Sequence, residues 1–142
     1  MWGRKDKPSA GEGGATVISP PTDDTVPVIR TIAMPADANP AGDIFGGWLM
    51  SQMDLAASSV ATRRAEARVV TVAVDAMAFL NPVMVGDEVS LYGHLVSTGR
   101  TSMKVLVEAW RRDRHHDEMT KVTQGTFTFV AIGADRRPRP LP

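Results

Sequence analysis

The chain has 142 residues, 16 Lys and Arg against 16 Asp and Glu, and no cysteine. That length supports one hydrophobic core and not two independent ones, and a zero formal net charge removes the global field that would draw a chain to nucleic acid or an anionic membrane. Without cysteine there are no disulfides, thiolate metal sites or Cys nucleophiles, so the chemistry rests on oxygen and nitrogen.

Residues 1–24 are rich in Gly, Pro, Ser and charge, a mix that buries too little apolar surface to offset its ordering entropy, and they are expected to form a mobile extension. They lack the apolar core of a secretion signal, and nowhere do 18 apolar residues run together, so the expectation is a soluble, cytoplasmic protein. The folded domain is expected over 25–134. An Arg- and Pro-rich tail, 135–142, resembles the N-terminal stretch in character. No repeat or heptad seam is present.

From Val26 to Met34 the sequence reads as a first strand, with Pro27 restricting it to an edge or a strand start. PADANPAG, 35–42, has turn chemistry throughout. A helix is predicted from Ile44–Gly47 to about Glu66, because Leu49, Met53, Ala56 or Ala57, and Val60 recur at steps of three or four. Some 20 residues at ~1.5 Å each make a rod of roughly 30 Å, long for a domain of this size.

After the helix the period changes to two. In 68–80, RVVTVAVDAMAFL, the even positions Val70, Val72, Val74, Ala76, Ala78 and Leu80 are all apolar, which predicts a central strand covered on that side. Asn81-Pro82 ends it, and Gly86-Asp87 makes a turn. Val89, Leu91 and Leu95 then alternate with Ser90, Tyr92 and His94. STGRTS, 97–102, reads as a hairpin. Met103, Val105, Val107 and Ala109 alternate with Lys104 and Glu108, a charged turn follows, and Phe127, Phe129 and Ala131 share a face of the last strand. One strand, one long helix and four strands joined by short turns predict an α+β fold, a curved antiparallel sheet wrapped around one central helix. Such a sheet leaves edges bare, so self-association is expected.

The segment DANPAGDIFGGWLMSQMD (37–54), then RVVTV (68–72), FLNPVMVGD (79–87) and STGRTS (97–102), resembles the hotdog-fold acyl-CoA thioesterases of the YciA type. The resemblance runs from about residue 27 to the end, and N-x-x-G-D-I-x-G-G followed by F-L-x-P-V-x-V-G-D is a specific combination. It implies sheets paired into dimers, commonly a trimer of dimers, with acyl-CoA bound between subunits and no cofactor besides the CoA of substrate and product. It also implies that the acid of the G-D-I-F-G-G segment, Asp43, carries catalysis. Residues of the R-V-V-T and G-R-T-S segments, Arg68, Val70, Thr71, Arg100, Thr101 and Ser102, are implied to reach the CoA.

Read as chemistry, thioester hydrolysis needs water or a carboxylate brought to an sp² carbonyl and stabilisation of the oxyanion that develops. Asp43 can act as general base, a role worth about 10²–10⁴-fold, or attack directly to give an anhydride. The alternative for Asp43 is a helix N-cap. Backbone N–H groups of Gly46 and Gly47, left over at a helix start, suit the oxyanion, and losing one such donor costs about 2.7–4 kcal/mol. Asn39 has an amide that can meet the carboxylate or a water, although turn chemistry explains it equally well. Asp54 reads as a solvated or interface residue in mid-helix, with a role in the site as the alternative. Ser58 and Ser59 lack a nucleophile-elbow context, His94 falls on the polar side of a strand, and His115-His116 lack zinc-site spacing, so no metal is expected. Arg100, with two hydroxyls beside it, suits phosphate oxygens, and Arg111 and Arg112 are weaker candidates. A second function class, a domain that binds acyl-CoA as sensor or carrier without hydrolysing it, shares all of these features.

Overall fold

The computed structural model describes Pro21 and residues 26–142; the expectation for the N-terminal extension otherwise lies outside the described residues. β1 (Ile29–Ile32) is followed by a short 3₁₀ turn (Pro35–Asp37), α1 (Gly46–Ala65), β2 (Arg68–Val74), β3 (Glu88–Thr98), β4 (Ser102–Arg112) and β5 (Met119–Ile132). The five strands form one sheet in the order β1-β3-β4-β5-β2, every pairing antiparallel. Register shifts at Thr71/Ala73, Leu95/Ser97 and Ala109/Trp110 interrupt three of the four pairings. Each such bulge bends its strand and raises the local twist, which suits a sheet that curls around a helix.

The helix lies on the concave face. Its buried positions, Leu49, Met53, Ala56, Ala57, Ala61 and Ala65, form one stripe, and four of the six are alanines, so the backbone approaches the sheet closely. Opposite them Val89, Leu91, Met103, Val105, Val107, Ala109, Phe127, Phe129 and Ala131 are all buried. This is the predicted alternation of β4 and β5, and it makes a single core. The helix ends where Glu66 turns left-handed (φ 52°) and donates its N–H to the Thr62 carbonyl, with Arg63 and Arg64 in the last turn complementing the dipole.

Four expectations need correction. The stretch 68–80 is not a central strand: β2 stops at Val74 and lies at the edge of the sheet, and Val72 is 55% exposed. The face turned to the core carries Val69, and Thr71 reaches the helix, not the even-numbered valines. A period of two names two faces without saying which one is covered. In β3, Ser90 and Tyr92 are as buried as Val89 and Leu91, because Arg30 reaches across them from β1 to Ser90 Oγ (2.8 Å) and the Tyr92 hydroxyl (3.4 Å). Glu108 is likewise buried and accepts the Trp110 indole N–H at 3.0 Å, while Leu95, beside a bulge, is exposed.

The fourth correction concerns the tail, which is docked. Gly133 N–H donates to the Arg137 carbonyl, Arg139 N–H to Ala131 and Leu141 N–H to Arg100. Arg64 Nη1 donates to the Pro142 carbonyl at 3.0 Å, and Leu141 packs on the core. Backbone pairing against the end of β5 and the β3–β4 hairpin thus orders a segment whose composition alone predicts mobility.

Candidate active site

The loop before α1 is built around Asn39. Its side-chain carbonyl accepts the N–H groups of Ala41 (2.9 Å) and Asp43 (3.1 Å), its own N–H donates to the Asp43 carbonyl (2.7 Å), and its carbonyl accepts from Gly42. Gly42, at φ 102°, closes that turn in a region L side chains rarely adopt. Asp43 then forms a bridge with Met84, and Ile44 N–H donates to Val83, so the segment is laced to the 83–87 turn. The Asn39 oxygen is thereby committed to the loop and not to the Asp43 carboxylate.

Asp43 is not the N-cap either. That position belongs to Phe45, which offers no capping side chain. Consequently the N–H groups of Gly46 and Gly47 donate to no acceptor among the described residues. Gly46 lines a cleft of about 170 Å³ together with Asn39, Asp43, Ile44, Leu49 and Phe79, among others. A side chain at Gly47 would meet only open space. Two bare helix-start amides beside an apolar cleft form a place where negative charge is favoured.

The carboxylate of Asp43 is exposed on the cleft rim and has no hydrogen-bond partner among the described side chains. A second carboxylate is held differently. Asp54, half-buried two turns further along α1, accepts the Thr71 hydroxyl of β2 at 2.8 Å. Beside this pair lie the uncovered edge of β2 and the exposed apolar side chains Val72 and Val74. Sequence reasoning ranked Asp54 below Asp43 because an acid in mid-helix is most simply a solvated or interface residue; the available signals were its place at the end of the 37–54 segment and its spacing of eight residues from Gly46, which keeps both on one side of the helix.

The CoA-binding candidates gather elsewhere. Arg68 opens β2 just after α1 ends and pairs with Ile132, while Arg100, Thr101 and Ser102 form the tip of the β3–β4 hairpin, where the tail docks. Val70 and Thr71 follow Arg68 on β2. Thr71 meets the middle of α1 through Asp54, whereas Arg68 and the hairpin tip lie with the docked tail near the end of the helix, and none of these residues lines the cleft that holds Asp43. His94, His115 and His116 are exposed, and among the described residues no group of three or more His, Asp or Glu side chains is placed to hold a metal ion.

Residues 41–117, which include Asp43, the helix and the edge strand, match the family model of the thioesterase superfamily. The chain belongs to the thioesterase superfamily. Among other members it is 60% identical over 116 residues to a Zymomonas mobilis protein named as an uncharacterized acyl-CoA thioester hydrolase, covering 82% of this chain and 78% of that one. It is 48% identical over 118 residues to the acyl-CoA thioester hydrolase YciA of Salmonella typhimurium, covering 81% and 89%. The crystal structure of a hexameric thioesterase from Yersinia pestis superposes with a TM-score of 0.80 at 45% identity, covering 85% of this chain and 98% of that one. The helix-wrapped sheet of this superfamily member is the hotdog fold.

Proposed function

We propose that this chain is an acyl-CoA thioester hydrolase, converting acyl-CoA and water to a carboxylic acid and CoA, and that it acts as a homo-oligomer with its active centres between protomers. Its relatives' names supply the reaction class. The observation that carries the arrangement is the Thr71–Asp54 hydrogen bond beside an uncovered strand edge.

A general base must be oriented by a third group and held on a rigid element. Asp54 meets both conditions, with Thr71 fixing one carboxylate oxygen and leaving the other for water. Asp54 removes a proton from that water as its oxygen attacks the thioester carbonyl. The oxyanion is received by the N–H groups of Gly46 and Gly47. When the tetrahedral intermediate collapses, the carbon–sulfur bond breaks and the proton on Asp54 passes to the CoA thiolate.

The eight residues between Gly46 and Asp54 span about 12 Å of helix, whereas the base and the oxyanion donors must each lie within about 3 Å of the reacting atoms. One protomer therefore cannot supply both to one thioester. The helix start of one protomer and Asp54 of another can, once the bare β2 edge and its exposed valines are covered by a second copy. The hexameric assembly of the Yersinia relative is consistent with this, and a trimer of dimers is the form we assign.

On this arrangement Arg68, Val70, Thr71, Arg100, Thr101 and Ser102 line the approach of the CoA arm from the protomer that supplies Asp54. Thr71 is only three residues from Arg68, roughly 10 Å of strand. Water, a carboxylate and amide donors complete the atom balance, so the reaction calls for no cofactor. A CoA ester substrate is consistent with the cytoplasmic location that we assign.

A second reading keeps Asp43 as the base or nucleophile, with Asn39 positioning it. The favouring observation is that both line the cleft with Gly46. Release of free thiol from acyl-CoA by the wild-type oligomer and by separate Asp54→Asn and Asp43→Asn variants distinguishes the two. Ligand-induced stabilisation without thiol release by wild type would instead indicate the sensor or carrier.

A further inference from the structure

We infer that Asp87 is a positioning residue for hydrolysis, fixing through the 84–87 turn the place of the helix start and of the Gly46 and Gly47 amides. This rests on the hydrolase reading and extends it to a residue that does not line the cleft. The segment entering α1 has no capping side chain of its own. It is held from outside, by two turns of the same construction. In Met34–Asp37 and again in Met84–Asp87, the aspartate N–H donates to the methionine carbonyl, at 2.8 and 3.0 Å, and the aspartate carboxylate accepts the methionine N–H, at 3.0 and 2.9 Å.

The two turns are joined at Ala33, whose N–H donates to the Asp87 carbonyl at 3.0 Å and whose carbonyl accepts the Gly86 N–H at 2.8 Å. Together they clasp the segment ahead of the helix. Phe45 N–H donates to the Asp37 carbonyl and Ile44 N–H to the Val83 carbonyl, both at 3.1 Å, and Asp43 bridges Met84. Phe45 directly precedes Gly46, so a shift of either turn is carried straight to the amides.

Of the two aspartates, Asp87 is the anchor. It is buried where Asp37 is partly exposed, and it faces Arg111 Nη1 of β4 at 3.4 Å, which ties the clasp to the middle of the sheet. Gly86 supplies the φ of 95° that the turn contains. An oxyanion donor acts only within hydrogen-bond range of the developing charge, and a misplacement of about 1 Å costs about 10²-fold in rate. Removing the Asp87 carboxylate frees the Met84 N–H and loosens the clasp at the end tied to the sheet.

The test is steady-state thiol release from one acyl-CoA by wild type, Asp87→Ala and Asp87→Asn, at a temperature where circular dichroism shows each protein folded. Asn keeps a carbonyl oxygen for the Met84 N–H and gives up only the charge. Asp87→Ala should lower kcat by up to about 10²-fold with KM within about twofold of wild type, and Asp87→Asn should recover most of the loss. Should Asp87→Ala fail to fold, its combination with Arg111→Met, which removes the cation left unpaired, is read against Arg111→Met alone. Undiminished kcat in the folded Ala or double variant, a loss confined to a higher KM, or an Asn variant as impaired as the Ala one overturns the assignment of Asp87 and leaves the hydrolase reading intact. If wild type releases no thiol, the hydrolase reading falls and this inference falls with it.

Discussion

Thr71 and Asp54 are 17 positions apart in the chain and 2.8 Å apart in space, joined through the hydroxyl of one and a carboxylate oxygen of the other. The bond ties the edge strand to the helix at the point where the sheet is uncovered. It also gives the carboxylate one orientation, as a base that must meet a water requires.

Removing that orientation should lower turnover and leave binding nearly intact. A hydrogen bond to a charged group contributes about 1.5–3 kcal/mol, so Thr71→Val should reduce kcat by about tenfold or more with little change in KM, and Thr71→Ser should restore most of it. Steady-state kinetics on the three proteins check this; a rise in KM with kcat unchanged would leave Thr71 only its place beside the CoA arm and remove its role in orienting Asp54.

The loop ahead of the helix should be sensitive at Gly42. Its φ of 102° suits glycine, and an L side chain in left-handed backbone costs about 1–2 kcal/mol. Gly42→Ala should lower unfolding stability by that amount in denaturant titrations although nothing lies within 4 Å of the added Cβ. An unchanged midpoint would mean that the loop relaxes freely.

The opposite turn depends on Asp87, whose buried carboxylate accepts the Met84 N–H at 2.9 Å and faces Arg111 Nη1 at 3.4 Å. Arg111 Nε is buried without a partner, so Asp87→Ala would leave a cation with no compensation on that side. The expected loss is about 2–3 kcal/mol, read from the same titration.

Much of this was legible in the residues. The apolar steps of three and four located α1 to within a residue or two, and the alternation Met103-Val105-Val107-Ala109 assigned the face of β4 that is buried. The failures have one physical origin, in that local pattern does not report what lies on the other side. The uniform apolarity of 68–80 does not distinguish a strand covered within one protomer from an edge left for another chain. The composition of 135–142 does not reveal that its backbone finds partners at Ala131 and Arg100. At the site, the bare amides of Gly46 and Gly47 follow from helix geometry alone, whereas Asp54 gains meaning only when β2 places Thr71 against it.

Stability should depend on pH through Lys121. Its ammonium is half-buried, and lost hydration lowers its pKa below the ordinary lysine value, an effect partly opposed by the Glu108 carboxylate. Between the lowered folded value and the ordinary 10.5, the unfolded chain binds more protons, so unfolding free energy should rise with pH across that window. Lys121→Met should flatten that rise relative to wild type in a denaturant series through alkaline pH. Parallel slopes would mean that the ammonium is as well hydrated folded as unfolded.

The basic end offers a separate check on the carrier portion of the substrate. If Arg100 and Arg68 hold the phosphates of CoA, then Arg100→Ala should raise KM for acyl-CoA, more so in the double variant, while acyl-pantetheine, which lacks the nucleotide, is hydrolysed unchanged. Added salt should weaken the wild-type preference for the CoA ester. Equal losses on both substrates would move these arginines from binding to structure.

The most direct measurement is thiol release by Asp54→Asn and Asp43→Asn oligomers whose size matches wild type. Loss of the base should lower kcat by about 10²–10⁴-fold in Asp54→Asn, with Asp43→Asn remaining within about tenfold of wild type. Full turnover by Asp54→Asn, together with an inactive Asp43→Asn, would contradict the account and return catalysis to the loop.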